Sequence, residues 1–476
     1  MNTVTIGGAA PRAPFGWNAL TRWPVLGWLL RRGYLMTALG SMSFALLVTV
    51  IGLGLGAEDS RVGLTVLLTW GIFWPLLTSV VTPTIGNAFC AVCPLGFAGK
   101  WLSRVGLQRS FPRRLRGIWI GLLAMVLGYW VIVFAMPTAL AFSTRTTAVY
   151  FLVFTLASFA VYFVYRDMAW CKHVCPLGRI TATHGRVGAL QIETDASACA
   201  SCRTFECAKA CSYHLSPFRF EQRNSMDACT LCGDCVTACG SVHLVARVPG
   251  AALRRPIAGQ DAGEAWVFLT ILAVVGVGVQ FEHNLRHTAV REHLPWNVVG
   301  QWLHGIVPID AAIFDLGRFL ALLVAMALTF AVGGWAYRRA AIVADTTWRE
   351  AANGLSVALA PLVVLALIPH AIGSFATFYA HSIANETGAL VGAAWNAAPL
   401  ARRGDAWLGW IGVLAYAGMA WTLWLVWVRA GVLASTPARR AKLWVYGSLP
   451  VWLFVAVYLF AVTSSLLAVS GGHAGY

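Results

Sequence analysis

Charge is scarce in this chain. Only 11% of its 476 residues are Asp, Glu, Lys or Arg, 58% are hydrophobic, and the mean hydropathy is +0.69. That balance excludes an ordinary soluble domain and a disordered polar chain, and it is the composition of a membrane protein. Acidic residues are the scarcer sign, 19 against 35 Lys and Arg. Cysteine is missing from the whole segment after Cys239. No G-x-G-x-x-G or P-loop stands in a βαβ setting, so a nucleotide-binding domain has no support. No C-x-x-C-H motif for haem c occurs either.

What fills the chain is apolar runs of bilayer-crossing length, about 20 residues each. Nine are read: 34–56, 62–86, 116–137, 148–166, 264–282, 311–336, 354–380, 406–429 and 443–468. The first starts late and lacks a small-residue cleavage site, so it is not read as a cleaved signal. The +16 charge is spread over alternate loops, which argues against nucleic acid as a partner. Arg12, Arg22, Arg31 and Arg32 precede the first run. Lys100, Arg104, Arg109, Arg113, Arg114 and Arg116 follow the second. Arg338, Arg339 and Arg349 follow the sixth, and Arg429, Arg439, Arg440 and Lys442 the eighth. By the positive-inside rule this predicts a bacterial inner-membrane protein with a cytoplasmic N-terminus and a periplasmic C-terminus. Residues 1–33 end in a basic stretch with Trp17, Trp23 and Trp28, read as an interfacial amphipathic helix over 14–33.

Eight of the 12 cysteines fall between the fourth and fifth runs. They form Cys199-x2-Cys202-x4-Cys207-x3-Cys211 and Cys229-x2-Cys232-x2-Cys235-x3-Cys239. Bacterial two-cluster ferredoxins use C-x2-C-x2-C-x3-C twice, the fourth cysteine of each run ligating the other run's cluster. The second block has that spacing, and the first carries two extra residues. The expectation is two [4Fe-4S] clusters, one on Cys199, Cys202, Cys207 and Cys239, the other on Cys229, Cys232, Cys235 and Cys211. Zinc sites pair C-x2-C units across a longer loop, and disulfides belong to oxidising compartments, so both fit less well. Residues 187–250 are thus read as a cytoplasmic ferredoxin domain opening on a short strand at 187–193, with a linker back to the membrane around Pro249–Pro256.

Residues 34–186 read as a repeated helical hairpin. One unit ends in Cys90-Ala-Val-Cys93-Pro-Leu-Gly, the other in Cys171-Lys-His-Val-Cys175-Pro-Leu-Gly. Proline and glycine stop the helices there. Packed side by side, the hairpins would bring four thiols to the cytoplasmic surface. Four readings stay open: a third cluster, zinc, a working dithiol pair, or free thiols that end the helices. His173, inside the second turn, is read as an interfacial histidine or a donor to a cluster sulfur.

Residues 251–476 hold five runs without cysteine. Titratable groups in spans are costly and point to function. Glu282, His283 and His287 end the fifth run, Asp315 and Arg318 open the sixth, and His370 and His381 flank the seventh. Eleven residues apart on a helix, His370 and His381 are expected on one face. His304 lies in a loop with Trp296 and Trp302. These groups suit a quinone site, where histidine and carboxylate handle protons, or a haem b held by two histidines from facing spans, with His370 the best single candidate for either. A satisfied core histidine is the competing reading for His370.

Four spans, two Cys-Pro-Leu-Gly turns and a two-cluster ferredoxin resemble the NapH/NosR type of membrane ferredoxin over about residues 30–250, with the oxidase-assembly ferredoxin CcoG more distant. The family's turns are usually C-x3-C-P, which Cys90/Cys93 does not obey, and the five-run C-terminal half is absent from the simple members. The expected fold is an all-α polytopic membrane protein of about nine helices with an inserted small α+β ferredoxin domain. The expected function is electron transfer between the clusters and a quinone or haem b in the membrane, with lipid and a redox protein as partners. The alternatives are a maturation factor that uses the turn thiols and, less well supported, a transporter or sensor.

Overall fold

The structure, a computed structural model, describes residues 18–226, 228–258, 263–276, 285, 288–402 and 405–470. The described residues are mostly helical, with one two-stranded sheet among them. Among the described residues eight helices are long and apolar enough to cross a membrane: Tyr34–Gly56, Leu64–Ile85, Trp119–Phe142, Thr144–Val164, Leu316–Ala344, Trp348–Leu390, Ala406–Leu433 and Pro437–Ser465. The remaining run is described as helix over Glu264–Val274, and Glu282, His283 and His287 lie outside the described residues. Leu46, Val48, Leu123, Leu127 and Leu156 are all more than half exposed. Rows of bare leucine and valine make a lipid-facing surface, not a water-facing one.

Both membrane halves share one core. Leu122, Met125 and Ile180 of the first pack with Phe268, Tyr337 and Phe454 of the second. Asp315 N–H donates to the Ala135 carbonyl at 2.6 Å across the same seam. Arg429 is a correction to its reading as a loop charge. It lies inside the helix Val413–Leu433, only 3% exposed. Its guanidinium donates to the carbonyls of Gly354, Leu253 and Arg255, the last at 2.7 Å.

The ferredoxin insert is closed by β1 (Leu190–Thr194) and β2 (Val242–Ala246), antiparallel, with Leu190 opposite Ala246 and Thr194 opposite Val242. Pairing the two ends leaves the cysteine loops between them. Glu193, 2% exposed, takes a two-pronged bond from Arg247 at 2.7 and 2.6 Å. Arg247→Ala strands that carboxylate in the core and is expected to cost about 3 kcal/mol, read as a lower urea midpoint for bleaching of the domain's visible absorbance. An unchanged midpoint would show the pair to be neutral.

The N-terminal segment folds as Ala19–Arg22 and Pro24–Arg31. Leu20 and Leu30 join Ile192, Phe220, Val236 and Val242 in the ferredoxin core, while Trp23, Val25 and Trp28 face outward. The apolar stripe that the sequence assigns to lipid is therefore divided between the ferredoxin domain and the exterior.

Candidate metal centre

Each hairpin of the first half ends in a cysteine pair whose second member starts a helix. Cys93 precedes Pro94–Val105 and Cys175 precedes Pro176–His184. Proline at the first helical position has its φ already set and no N–H to lose. The two cysteines share one backbone shape, φ −57°, ψ 127° and φ −60°, ψ 116°. First-turn N–H groups then reach back to sulfur, from Gly96 and Leu95 to Cys93 and from Gly178 and Leu177 to Cys175, with Gly178 N 3.4 Å from Sγ. A Cβ on Gly96 would stand 3.5 Å from the Cys90 carbonyl oxygen, and one on Gly178 3.6 Å from that of Cys171.

The unequal spacing does not spoil this likeness. Cys90 rides on a short α-helix, Phe89–Val92, and Cys171 on a π turn, Trp170–Val174. A π turn closes on i+5 and so holds one residue more than an α turn. The extra residue of the second motif is absorbed before Cys175 is reached.

The hairpins meet at their tips, where Thr181 Oγ1 lies 3.4 Å from Cys90 Sγ. Burial pushes the Cys90 thiol well above its ordinary range, and the fields of Cys93, Cys171 and Cys175 add to the shift. Burial takes Cys93 up to about 12, with Cys171 adding. Cys175 is raised by burial, then by Cys171 and Cys93. Cys171 is raised by burial against two opposing hydroxyls, Tyr162 at 2.8 Å and Tyr213. Four thiols, Cys175 buried and the other three half-buried, thus share one neighbourhood lined with N–H and O–H donors.

Tyr213 comes from the ferredoxin domain and is 4% exposed. Its phenol lies in the fields of Cys171, Cys90 and Cys232. It also lines an apolar pocket with Cys211, Cys229, Cys232 and Cys235. Burial raises Cys229 to about 12 and Cys232 to about 11. Burial raises Cys235 too, with Cys229, Cys232 and Cys211 adding. Leu231, at φ 56°, turns its N–H toward Cys229 Sγ at 3.5 Å. On the outer side, burial raises Cys207, followed by the fields of Cys239 and Cys199. Cys202 is on an open loop, where the N–H groups of Phe205 and Thr204 lower its pKa. Lys100, from the helix after the first turn, clamps Asp234 beside this pocket at 2.8 Å, and Ser212 bonds the same carboxylate at 3.0 Å.

These donor sets fit iron–sulfur clusters. Cysteine thiolates hold a cube, and hydrogen bonds to sulfur tune it. Burial disfavours the charged form of Cys90, Cys93, Cys171, Cys175, Cys207, Cys229, Cys232 and Cys235, and metal binding displaces the proton. Among the described residues no group of three His, Cys, Asp or Glu is drawn together tightly enough to hold a single metal ion.

The other candidates stand elsewhere. His304 is committed to backbone: its Nδ1–H donates to the Ile309 carbonyl at 3.0 Å, and Nε2 accepts from Leu316 N–H at 3.1 Å. Asp315 caps the helix Leu316–Ala344 by accepting from Arg318 N–H at 3.0 Å, and pairs with the Arg318 guanidinium at 3.2 Å. His370 is half-buried on Ile368–Ser374, while His381 begins the stretch after a π turn, Phe375–Tyr379. That turn shifts the helical phase, so the spacing of eleven no longer sets the two histidines on one face. Tyr162, Thr181 and Tyr213 were not singled out from sequence. The only trace of Tyr213 is its place two residues after Cys211.

Residues 66–118 and 147–191 match a family described as "4Fe-4S binding domain". Those segments contain Cys90 and Cys93, then Cys171 and Cys175, and leave out the eight cysteines of the insert. The chain is 24% identical over 221 residues to the "Putative electron transport protein YccM" of Escherichia coli (strain K12), covering 42% of this chain and 60% of that protein. It thus spans less than two thirds of the relative's length. No solved structure matches. Iron–sulfur binding and electron transfer are supported by these likenesses, in a chain with membrane-spanning helices.

Proposed function

We propose that this chain is a membrane electron-transfer protein with three [4Fe-4S] sites, linking the quinone pool to a redox partner protein. The first site is Cys199, Cys202, Cys207 and Cys239. The second is Cys211, Cys229, Cys232 and Cys235. The third is Cys90, Cys93, Cys171 and Cys175. The observation that carries the reading is Tyr213, which bonds Cys171 on one side and lines the Cys211–Cys235 pocket on the other. One buried side chain therefore stands between the membrane turns and the ferredoxin domain. Each cluster, when bound, supplies a one-electron couple whose potential follows burial and hydrogen bonds to sulfur. Around it the chain excludes water, aims Gly96 and Gly178 N–H at the capping cysteines, and fixes the domain with Lys100–Asp234. The basic loops support a cytoplasmic side for these sites, at an inner membrane.

The phase shift takes His370 and His381 off the common face expected for them. A maturation factor working by thiol exchange needs an accessible thiolate of lowered pKa, and burial moves Cys90, Cys93 and Cys175 the other way. Purified protein is expected to carry about twelve irons with equal labile sulfide, and the reduced form to give interacting [4Fe-4S] EPR signals. Zinc without sulfide would sink the proposal.

A further inference from the structure

Cys171 differs from the other three cysteines of the membrane turns in what meets its sulfur. Cys93 and Cys175 take backbone N–H groups, and Cys90 has the Thr181 hydroxyl at 3.4 Å. Cys171 has two phenols, Tyr162 at 2.8 Å and Tyr213. They come from opposite sides of the junction. Tyr162 stands near the end of the membrane helix Thr144–Val164, and Tyr213 belongs to the ferredoxin domain. Both are buried, at 0% and 4% exposure. A buried phenol needs a hydrogen-bond partner, and for both rings it is this one sulfur.

The surrounding chain holds each phenol in place. A Cβ on Gly99, in the helix Pro94–Val105, would stand 2.4 Å from the Tyr162 ring. Only glycine lets the helix after the first turn come this close to the ring that bonds the second turn. On the other side, His214 Nε2 lies 2.8 Å from the carboxylate of Asp167, four residues before Cys171. That contact seats the residue next to Tyr213 on the approach to the same cysteine.

The direction of the effect follows from charge. A ligating thiolate has no proton, so each phenol is the donor. A cube on four thiolates is an anion, and one added electron makes it more negative with no bond made or broken. A donor aimed at its sulfur therefore favours the reduced form over the oxidised one, as charge-assisted hydrogen bonds strengthen with the acceptor's charge.

We propose that Tyr162 and Tyr213 set the potential of the site formed by Cys90, Cys93, Cys171 and Cys175, raising it by donating two hydrogen bonds to Cys171 Sγ. The proposal deepens the function proposed above and rests on its third cluster. A quinol is a mild reductant, and an acceptor in its reach has to be lifted in this way. Since Tyr213 comes from the ferredoxin domain, the seated domain completes the acceptor in the membrane turns.

The test is a redox titration of the full-length protein in detergent, followed by EPR. The signal that Cys175→Ala removes is the membrane site's. Tyr162→Phe and Tyr213→Phe each keep the ring and delete the hydroxyl. At a fixed potential, each is expected to lower the ratio of reduced to oxidised membrane cluster about tenfold, the order of one hydrogen bond to a charged group. Tenfold in a one-electron couple is a fall of about 59 mV. The double variant should fall further, and Tyr162→Phe should leave the ferredoxin clusters where they are. A membrane signal at the parent potential in both variants, at unchanged iron content, would overturn the inference and leave the third cluster standing. A fall in one variant alone would overturn it for the other tyrosine. An equal shift of every cluster, or loss of about four irons, would show a structural role and sink it. A parent protein with about eight irons and no signal lost in Cys175→Ala would overturn this inference and the third cluster together.

Discussion

Replacing Cys93 and Cys175 together by alanine is expected to remove about four of about twelve irons and to leave the interacting signals of the ferredoxin pair in place. These two cysteines are the helix-capping members of the turns, and the N–H groups of Gly96, Leu95, Gly178 and Leu177 point at their sulfurs. Their loss takes half the thiols from the membrane site and none from the insert. Iron and sulfide analysis, with EPR of the dithionite-reduced variant, reads the outcome. Retention of all the iron would mean that the turns are helix ends and nothing more. Loss of all of it would mean that the insert cannot hold its clusters without the membrane site. The same variant should lose quinol-linked reduction of the ferredoxin clusters, because the turns stand between Tyr213 and the spans.

Arg429→Leu is expected to be the most damaging single change outside the cysteines. The guanidinium meets three carbonyls, of Gly354, Leu253 and Arg255. Each buried acceptor left without a donor costs about 1–3 kcal/mol, so the three together cost about 3–9 kcal/mol. Tryptophan-fluorescence melting in detergent should fall by more than roughly 5 °C. Arg429→Lys should fall between, since an ammonium is one point charge and cannot span three acceptors as the planar fork does. A leucine variant that melts with the parent protein would show the clamp to be dispensable.

The membrane helices were legible because twenty apolar residues in a row have few other uses, and Tyr34–Gly56 matches its run residue for residue. The ferredoxin strand was legible from Gln191, Ile192 and Glu193, although it starts at Leu190. What sequence hid was where polar side chains end up. Arg429 reads as one more basic residue after a span, and only packing against Gly354 turns it inward. His304 reads as a free titratable group until both ring nitrogens are seen on backbone. The common face expected for His370 and His381 rested on an ideal helical count, which fails wherever the ladder widens, as it does at Phe375–Tyr379. The same widening at Trp170–Val174 restored a symmetry that the unequal cysteine spacing had concealed.

The ferredoxin domain is tied down at four separate places. Lys100 holds Asp234 at 2.8 Å, Asn87 holds the Cys229 carbonyl, Ala189 N–H donates to Thr84 at 2.8 Å, and Leu30 lies in the domain's own core. A domain moored in this way cannot work as a swinging arm that loads in one position and unloads in another. Its distance to the bilayer is constant, and so are the gaps an electron has to cross. Traffic with the soluble side must therefore come to the domain, and the open loop with Cys202 and the 41%-exposed Phe205 is a quay at which it can berth.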